Sequence, residues 1–339
     1  MTLDSSVLRH IESQLAAAYS AQSVVITGVQ KLSGGAIQEN WELSADVAGG
    51  CAPGLLQWVL RKDSAAVVAS SRSRLEEAAL LSIVYGCGIR APRPLLVDDG
   101  TSVGFPFFVM EKLPGLAQGH LLTRDEGLVP NRQALMQDMG AQMALLHAIE
   151  PPQAELGFLG TPAQNPLLAR LASLRGQLDA LGEAQPALEA ALRWCERHAP
   201  ASVSPTLVHG DWRTGNLMIH EGRLAGVLDW EFAGWGDPRE DLGWFAARCW
   251  RFNRPDLAGG GLGELEDLLV AYAAAGGRSL VRADIQFWEV LAHLRWAVIA
   301  LEQQARHRSG QQRSLELALT GRLVPRLLLG ALDEIAAIA

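Results

Sequence analysis

The stretch Leu207–Ile219, "LVHGDWRTGNLMI", joins two kinds of sequence. Its apolar ends suit buried strands, whereas His209, Asp211, Arg213 and Asn216 between them need water, a partner or a chemical role. A core gains nothing from a carboxylate, a cation and an amide placed in one short loop. The pattern therefore predicts strands that hold a functional loop between them.

The polar residues of this loop have a specific spacing. His209, Gly210 and Asp211 are followed by four residues and then by Asn216, which gives the pattern H-x-D-x-x-x-x-N, and "VLDWE" places Asp229 at the end of a later strand. This order resembles the catalytic loop and the metal-binding Asp of kinases. Phosphoryl transfer passes through a loose, anionic transition state, so the protein mainly supplies alignment and charge. Asp211 would accept the proton of an attacking hydroxyl, and Asn216 and Asp229 would offer the oxygen ligands that Mg²⁺ prefers.

A longer segment carries a family resemblance. "HGDWRTGNLMIHEGRLAGVLDWEFAGWGDPREDLGW" resembles the signature region of the aminoglycoside phosphotransferase/choline kinase-like family of small-molecule kinases, in particular the branch with kinase domains associated with acyl-CoA dehydrogenases. The segments "KLSGGAIQENWEL", "WVLRK" and "FFVMEKLPG" resemble its glycine-containing hairpin, third strand and hinge, so the resemblance runs from Lys31 to about Trp250. It implies a bilobal, protein-kinase-like α+β fold with ATP between the lobes. The nucleotide-binding lobe would span 1–113, with a hinge at 110–115, and the helical catalytic and substrate lobe would span 114–339.

The resemblance also implies individual roles. It puts Asp211 in the position of the base, Asn216 and Asp229 in the positions of the Mg²⁺ ligands, and Arg213 where it could contact the transferring phosphoryl group. In the front lobe, a glycine-containing turn would cover the phosphates of ATP and the hinge would bind adenine. The implied nucleotide-binding residues are Ser33, Gly34 and Gly35 of the turn, Met110 at the head of the hinge, and Glu111 and Leu113 through backbone carbonyl and amide.

The phosphate-binding cation departs from the usual pattern. Kinases usually place Lys on the third strand, whereas the best-aligned residue here is Arg61, and Lys62 would serve if the register slips by one. Its helical partner is Glu77 or the neighbouring Glu76. The metal motif is also Asp-Trp-Glu and not Asp-Phe-Gly, which favours a small-molecule kinase over a regulated protein kinase.

Composition excludes several other classes. The chain has 339 residues and a formal net charge of −8, which gives no support to nucleic-acid binding. We find no apolar run of roughly 18 residues that a membrane helix needs, and the polar start does not resemble a signal peptide. The four cysteines are scattered without a C-x-x-C pair, which is typical of a reducing cytoplasm. Oligomeric state is left open.

Hydrophobic periodicity predicts the order of the elements. Period-two segments up to Gly115 indicate a small antiparallel sheet with one inserted helix, from about Ser64 to Tyr85. Helical spacing dominates beyond Gly115, interrupted by short strands around the loop. The prediction is therefore an α+β fold with a β-rich front lobe and a helical back lobe.

The substrate is predicted from charge. Between Arg239 and Arg308 there are nine acids and nine arginines, although an aminoglycoside is a polycation that would favour surplus carboxylates. "RCWRFNR" concentrates Arg248, Arg251 and Arg254, and Trp250 lies among them. Arg248, Arg251 and Trp250 are candidates to contact an anionic hydroxylated substrate, such as a hydroxyacyl thioester of coenzyme A. Surface ion pairing of these arginines is the alternative.

Other functions stay open at this point. The chain could phosphorylate an aminoglycoside or another amino alcohol, or it could be a catalytically silent nucleotide-binding module. A metal hydrolase that uses His209, Asp211 and Asp229 ranks last, because a second histidine cluster at ligand spacing is missing. His209 itself is interpreted as a structural anchor, and Asp237 and Asp241 are interpreted as residues that begin a helix and orient the loop.

Overall fold

The chain divides into two compact units. The computed structural model describes residues 3–32, 38–63 and 72–338. The first unit consists of Met1–Pro114 with Trp230–Phe232, and the second consists of Gly115–Asp229 with Ala233–Ala339.

The first unit contains a five-stranded antiparallel sheet with strand order β1-β2-β3-β5-β4. The first half of β1 alternates between exposed and more buried residues, which gives a period-two pattern, whereas β3 and β5 contain runs of consecutive buried residues. Their bounds are β1 Ser23–Lys31, β2 Gln38–Ala48, β3 Gly54–Asp63, β4 Pro94–Asp98 and β5 Phe107–Glu111.

Two helices accompany this sheet. Helix α1, Ser5–Ala18, begins at a cap in which the Asp4 side chain accepts from the backbone of Ser6 and Val7, and its apolar face packs on the sheet core around Trp58. Helix α2, Arg74–Gly86, begins later than the predicted 64, because Ser73 and Glu76 form a capping box. Residues 64–71 lie outside the described residues.

The second unit is mainly helical. Two small antiparallel strand pairs, β6 with β9 and β7 with β8, carry the polar loop of the opening stretch. The strands are β6 Thr206–Val208, β7 Leu217–His220, β8 Arg223–Val227 and β9 Gly234–Gly236. The helices are α3 Gly119–Arg124, α4 Arg132–His147, α5 Pro166–Leu181, α6 Pro186–Arg197, α7 Arg239–Ala246, α8 Leu265–Ala274, α9 Arg282–Arg308, α10 Leu315–Thr320 and α11 Val324–Ile338.

Helix α9 organises the second unit. It packs against α5, α6, α7, α10 and α11, and its apolar residues belong to one core with those of α5, α6 and α11. The approach of α7 is close: a Cβ added to Gly243 would lie 2.2 Å from the Cβ of Trp288. Only glycine permits this approach, which holds the next residue of α7, Trp244, at a fixed place beside α9.

The α+β prediction is confirmed by the sheet of the first unit and the helices of the second. Within residues 3–32, 38–63 and 72–338, no helix combines the length and the apolar character that crossing a membrane requires.

Candidate active site

The loop after β6 is fixed by one buried carboxylate. The Asp241 side chain accepts hydrogen bonds from the backbone N–H of His209 (2.7 Å) and of Gly210 (2.9 Å), and the Nε2 of His147 lies 3.2 Å from it. Although burial opposes ionisation, hydrogen bonding from His147 holds the pKa of Asp241 below its ordinary value. Gly210 has a φ of 76°, so the chain can turn sharply there. The structure thus positions the loop through α7.

His209 is a neutral anchor of this loop. Its Nε2 lies 2.9 Å from the carbonyl oxygen of Leu228 and must donate, while its Nδ1 accepts from the backbone N–H of Asp211 at 3.1 Å. The side chain is buried, and burial lowers the pKa of His209. Both ring nitrogens are therefore used to hold backbone, which suits an anchor and not a proton acceptor.

Three side chains aim the carboxylate of Asp211. The Nε1 of Trp244 donates to its Oδ1 at 2.8 Å, the Nδ2 of Asn216 donates to its Oδ2 at 2.7 Å, and the Nε of Arg213 lies 3.1 Å from both oxygens. The residue is mostly buried yet keeps some exposure. A carboxylate held from several directions has a defined orientation before any substrate arrives, which is what a positioned base requires.

Asn216 and Asp229 form the candidate metal site. The backbone N–H of Leu228 donates to the carbonyl of Asn216 at 2.8 Å, so the residue before Asp229 is attached to Asn216. Asp229 has a φ of 68°, a left-handed conformation that is uncommon outside glycine and that clusters at functional sites.

The donor atoms of this pair fit Mg²⁺. Since Nδ2 of Asn216 is bonded to Asp211, its Oδ1 is the atom left over, and it accepts no hydrogen bond from the residues the structure describes. Among those residues no cluster of three or more His, Cys, Asp or Glu side chains could hold a metal alone. Mg²⁺ is usually held by one or two protein oxygens together with phosphates and water, so a two-residue set agrees with that ion.

Arg213 lies over an aromatic group. Its guanidinium carbon is 5.0 Å from the ring centre of Trp250, which in turn packs against Trp244 and Trp296. Burial works against the charge of Arg213, but Asp211 and Asp229 raise its pKa. A stacked arginine keeps its charge and offers its remaining N–H groups to an anion.

The first unit brings Arg61 and Glu77 together. Both side chains are buried, and the Nε of Arg61 lies 3.1 Å from Oε1 of Glu77. Glu77 also contacts Arg74, which is fully buried and pairs with Asp63 at 2.8 Å. Sequence reasoning left Glu76 as an alternative, but Glu76 caps the start of α2.

Lys62 occupies a different environment from Arg61. Its Nζ lies 2.6 Å from Oε2 of Glu39 and 5.2 Å from the ring centre of Phe105. Although burial opposes ionisation, Lys31 and Lys62 lower the pKa of Glu39 to about 2. Neighbouring residues of a strand face opposite sides of the sheet, so only one of the two cations shares a side with Glu77.

This difference gives a prediction about nucleotide affinity. Replacing Arg61 with Met should raise the KM for ATP at least about tenfold, because a charge-assisted contact to phosphate contributes roughly 1.5–3 kcal/mol. Lys62→Met, the matched neighbour, should change that KM little. Steady-state kinetics at varied ATP concentration measures both. The reverse ranking would show that Lys62 is the phosphate-binding cation.

The hinge residues lie at the end of the sheet. Met110 and Glu111 belong to β5, and the backbone N–H of Glu111 donates to the backbone carbonyl of Arg93 at 2.9 Å. Leu113 follows the strand, and its own N–H and carbonyl bond to no residue in the described part of the chain. That backbone is available to a ligand such as adenine. The other predicted nucleotide-binding turn, Ser33, Gly34 and Gly35, lies outside the described residues.

The predicted substrate arginines form ion pairs within the protein. Arg251 is buried, donates to the carbonyl of Ala246 and pairs with Glu289 at 2.8 Å, so its charge is satisfied inside the protein. Arg248 is exposed and pairs with Asp333 and Glu334 at 3.2 and 3.1 Å. Charge counting could not distinguish these ion pairs from a ligand site.

Trp250, the third predicted substrate residue, is largely enclosed by other side chains. Only 8% of its surface is exposed, and its ring packs between Trp244 and Trp296. It lies under the guanidinium of Arg213 and supports that cation.

Sequence reasoning missed two residues of this region. Trp244 belongs to no motif of the loop, but its indole nitrogen donates to Asp211. Arg295 of α9 was counted only as part of the charge balance, yet its guanidinium carbon lies 4.5 Å from the ring centre of Trp244. Neither has a local motif, because both reach the site only through the packing of α7 on α9.

Comparisons with known proteins agree with this geometry. The sequence profile of the phosphotransferase enzyme family matches residues 28–291. Acyl-CoA dehydrogenase family member 10 of Mus musculus is 30% identical over 196 residues, which are 55% of this chain and 18% of that protein. Acyl-CoA dehydrogenase family member 11 of Homo sapiens is 26% identical over 288 residues, which are 81% of this chain and 36% of that protein. The chain thus spans about a third or less of these relatives.

Solved structures share the fold. A candidate aminoglycoside phosphotransferase from Ralstonia eutropha superposes with a TM-score of 0.74 at 21% sequence identity, over 96% of this chain and 97% of that one. The predicted kinase-like fold and the predicted family resemblance are therefore confirmed.

Proposed function

Because this chain belongs to the phosphotransferase enzyme family, we propose that it is an ATP- and Mg²⁺-dependent kinase that phosphorylates a hydroxyl group of a small molecule. The observation that carries the proposal is the orientation of Asp211 by Trp244, Asn216 and Arg213. A protein that only bound nucleotide would not need a carboxylate held so firmly at the position of the base. The silent-module alternative is therefore the weaker one.

The proposed step begins at the acceptor hydroxyl. Asp211 accepts the hydroxyl proton as the acceptor oxygen bonds to the γ-phosphorus of ATP, and the bond from that phosphorus to the bridging oxygen of ADP breaks. The products are the phosphorylated alcohol, ADP and one proton. Arg213, stacked on Trp250, offers its N–H groups to the charge on the moving phosphoryl group.

The remaining residues bind the nucleotide. Asn216 and Asp229 would hold Mg²⁺, which when bound neutralises phosphate charge and orients the phosphates. Arg61, kept in place by Glu77, binds a phosphate of ATP. The backbone of Leu113, which bonds to no residue in the described part of the chain, supports adenine binding beside Met110 and Glu111.

The acceptor is proposed to be anionic, a hydroxyacyl-CoA-like compound. Support comes from two relatives whose names place them among acyl-CoA dehydrogenases. Arg248 and Arg251 no longer contribute to this argument, because both are engaged in ion pairs. An aminoglycoside or another amino alcohol is the alternative acceptor.

A substrate screen tests the proposed function. Purified protein with Mg-ATP should release ADP when an acceptor with a free hydroxyl is added, and EDTA should abolish the release. We expect turnover with 3-hydroxybutyryl-CoA and little or none with kanamycin. Efficient turnover of kanamycin would replace the anionic acceptor with the aminoglycoside alternative, and failure to bind Mg-ATP would refute the kinase.

A further inference from the structure

Arg295 has no carboxylate partner in the part of the chain that the structure describes. It lies on α9, is partly buried, and forms neither a hydrogen bond nor an ion pair with any of the residues 3–32, 38–63 and 72–338. None of its side-chain nitrogens is fully buried, so each keeps some accessible surface. By contrast, each arginine that the structure buries pairs with a carboxylate; these arginines are Arg61, Arg74, Arg239 and Arg251.

The acids near Arg295 are already engaged with other donors. Burial and the like charge of Arg170 lower the pKa of Arg295 to about 10, and the charges of Glu240, Asp211 and Asp241 counteract that shift. Glu240, however, pairs with Arg170 at 2.8 Å. Asp241 accepts two backbone N–H groups and faces His147, and Asp211 is held by three side chains, as described above. Arg295 therefore stays positively charged at neutral pH, and it has no direct ion pair within residues 3–32, 38–63 and 72–338.

Trp244 connects this charge to the base. One face of the indole carries the guanidinium of Arg295 at 4.5 Å, and the indole Nε1 donates to Asp211 at 2.8 Å. One rigid ring thus sets the position of both groups. Because both groups contact the same indole, we expect an acceptor whose hydroxyl is held by Asp211 to bind near Arg295.

We propose that Arg295 is a specificity-determining residue that binds an anionic oxygen group, a carboxylate or a phosphate, of the hydroxylated acceptor. The inference rests on the proposed kinase function and assigns the acceptor's charge to one residue. Its basis is an arginine that has no direct carboxylate partner among the described residues and that stacks on the ring that holds the base. The same charge repels ammonium groups, which disfavours polycationic acceptors.

Binding and turnover with matched acceptors test the proposal. The acceptors are 3-hydroxybutyrate, which offers a carboxylate, 3-hydroxybutyryl-CoA, which offers phosphates, the neutral 3-hydroxybutyramide, and choline. Binding to the protein with Mg-ADP is measured by calorimetry, and turnover is measured by ADP release. Wild type should bind at least one of the two anions more tightly than the amide or choline, and the better anion identifies the bound group.

The variants separate charge from packing. Arg295→Gln should weaken binding of the preferred anion about ten- to a hundredfold, mainly through KM, and should leave the neutral amide and Mg-ATP binding unchanged. Arg295→Lys keeps the charge and should restore part of the affinity. Arg308→Gln, which removes an exposed arginine of the same helix that pairs with Glu183, should have no effect. Circular dichroism checks that each variant folds.

Three results would overturn the inference. One is equal or weaker binding of both anions compared with the amide and choline in the wild type. Another is an equal loss for charged and neutral acceptors in Arg295→Gln, and the third is no recovery in Arg295→Lys when that variant is folded. Any of these with intact Mg-ATP binding leaves the kinase proposal standing, whereas loss of Mg-ATP binding in the wild type would refute the kinase itself.

Discussion

The Asp211→Asn variant should turn over at least about a hundredfold more slowly than wild type, while its affinity for Mg-ATP stays nearly the same. The amide keeps the shape of the carboxylate, but it cannot accept the acceptor's proton. In the wild type, Trp244, Asn216 and Arg213 donate to the carboxylate oxygens of Asp211. In the variant, one of these oxygens is replaced by an NH₂ group, which cannot accept these hydrogen bonds. ADP release measures turnover, and calorimetry with a non-hydrolysable ATP analogue measures binding.

Asp229→Ala is the contrasting variant. Because Asp229 is proposed as a metal ligand, its loss should weaken Mg²⁺-dependent nucleotide binding itself, and higher Mg²⁺ should recover part of the loss. The two aspartates would then separate base from metal ligand. Equal turnover of wild type and Asp211→Asn would rule out the base assignment.

The Asp241→Ala variant should lose roughly 3 kcal/mol or more of unfolding free energy, since the buried N–H groups of His209 and Gly210 and the ring of His147 lose their acceptor. Urea unfolding followed by tryptophan fluorescence measures this. Asp256→Ala, which removes an exposed carboxylate that pairs with Arg254, is the matched control and should change little. The same midpoint for both variants would contradict the anchor role of Asp241.

The pH dependence of stability follows from two shifted groups. The pKa of Asp241 is below its ordinary value, so its stabilisation is complete above the unfolded pKa of about 3.9 and is lost as the pH falls through the folded pKa. Burial also lowers the pKa of His209, so below about pH 6.5 protons bind the unfolded chain more than the folded one. Both effects make wild type less stable on acidification. At neutral pH the full cost of Asp241→Ala should therefore appear.

Local patterns predicted which polar residues lie together in the loop. His209, Asp211 and Asn216 lie within one short segment, and their relation is a matter of spacing, so the sequence indicates it directly. The start of α2 had an equally local signal, because Ser73 followed by Glu76 is a capping-box pattern, and the predicted helix overlooked it. Strand β9, Gly234–Gly236, was missed because its glycines are typical of a turn and only pairing with β6 makes it a strand.

Long-range relations were not predictable in the same way. Arg251 and Arg295 both belong to an arginine-rich region of one chain, and their side chains are chemically identical. Arg251 pairs with the buried Glu289, whereas Arg295 contacts the ring of Trp244 and pairs with no carboxylate among the described residues. Which arginine keeps a free charge depends on the packing of α7 on α9. The anionic acceptor therefore stays a prediction, and Arg295 takes the place of Arg248 and Arg251 as the proposed contact.

The side-chain amide of Asn216 couples the position of the proposed base to that of the proposed metal site. Its nitrogen faces Asp211, and its oxygen is the atom proposed for the metal. An amide is planar, so neither end can rotate without moving the other. Metal binding to the oxygen of Asn216 would restrict the motion of the Asp211 carboxylate. A substrate hydroxyl that displaces Asp211 would, in turn, move the Asn216 oxygen at the metal. The losses of activity caused by substitution of Asn216 and of Asp211 should consequently not be additive. Only a double-mutant cycle can separate the two contributions.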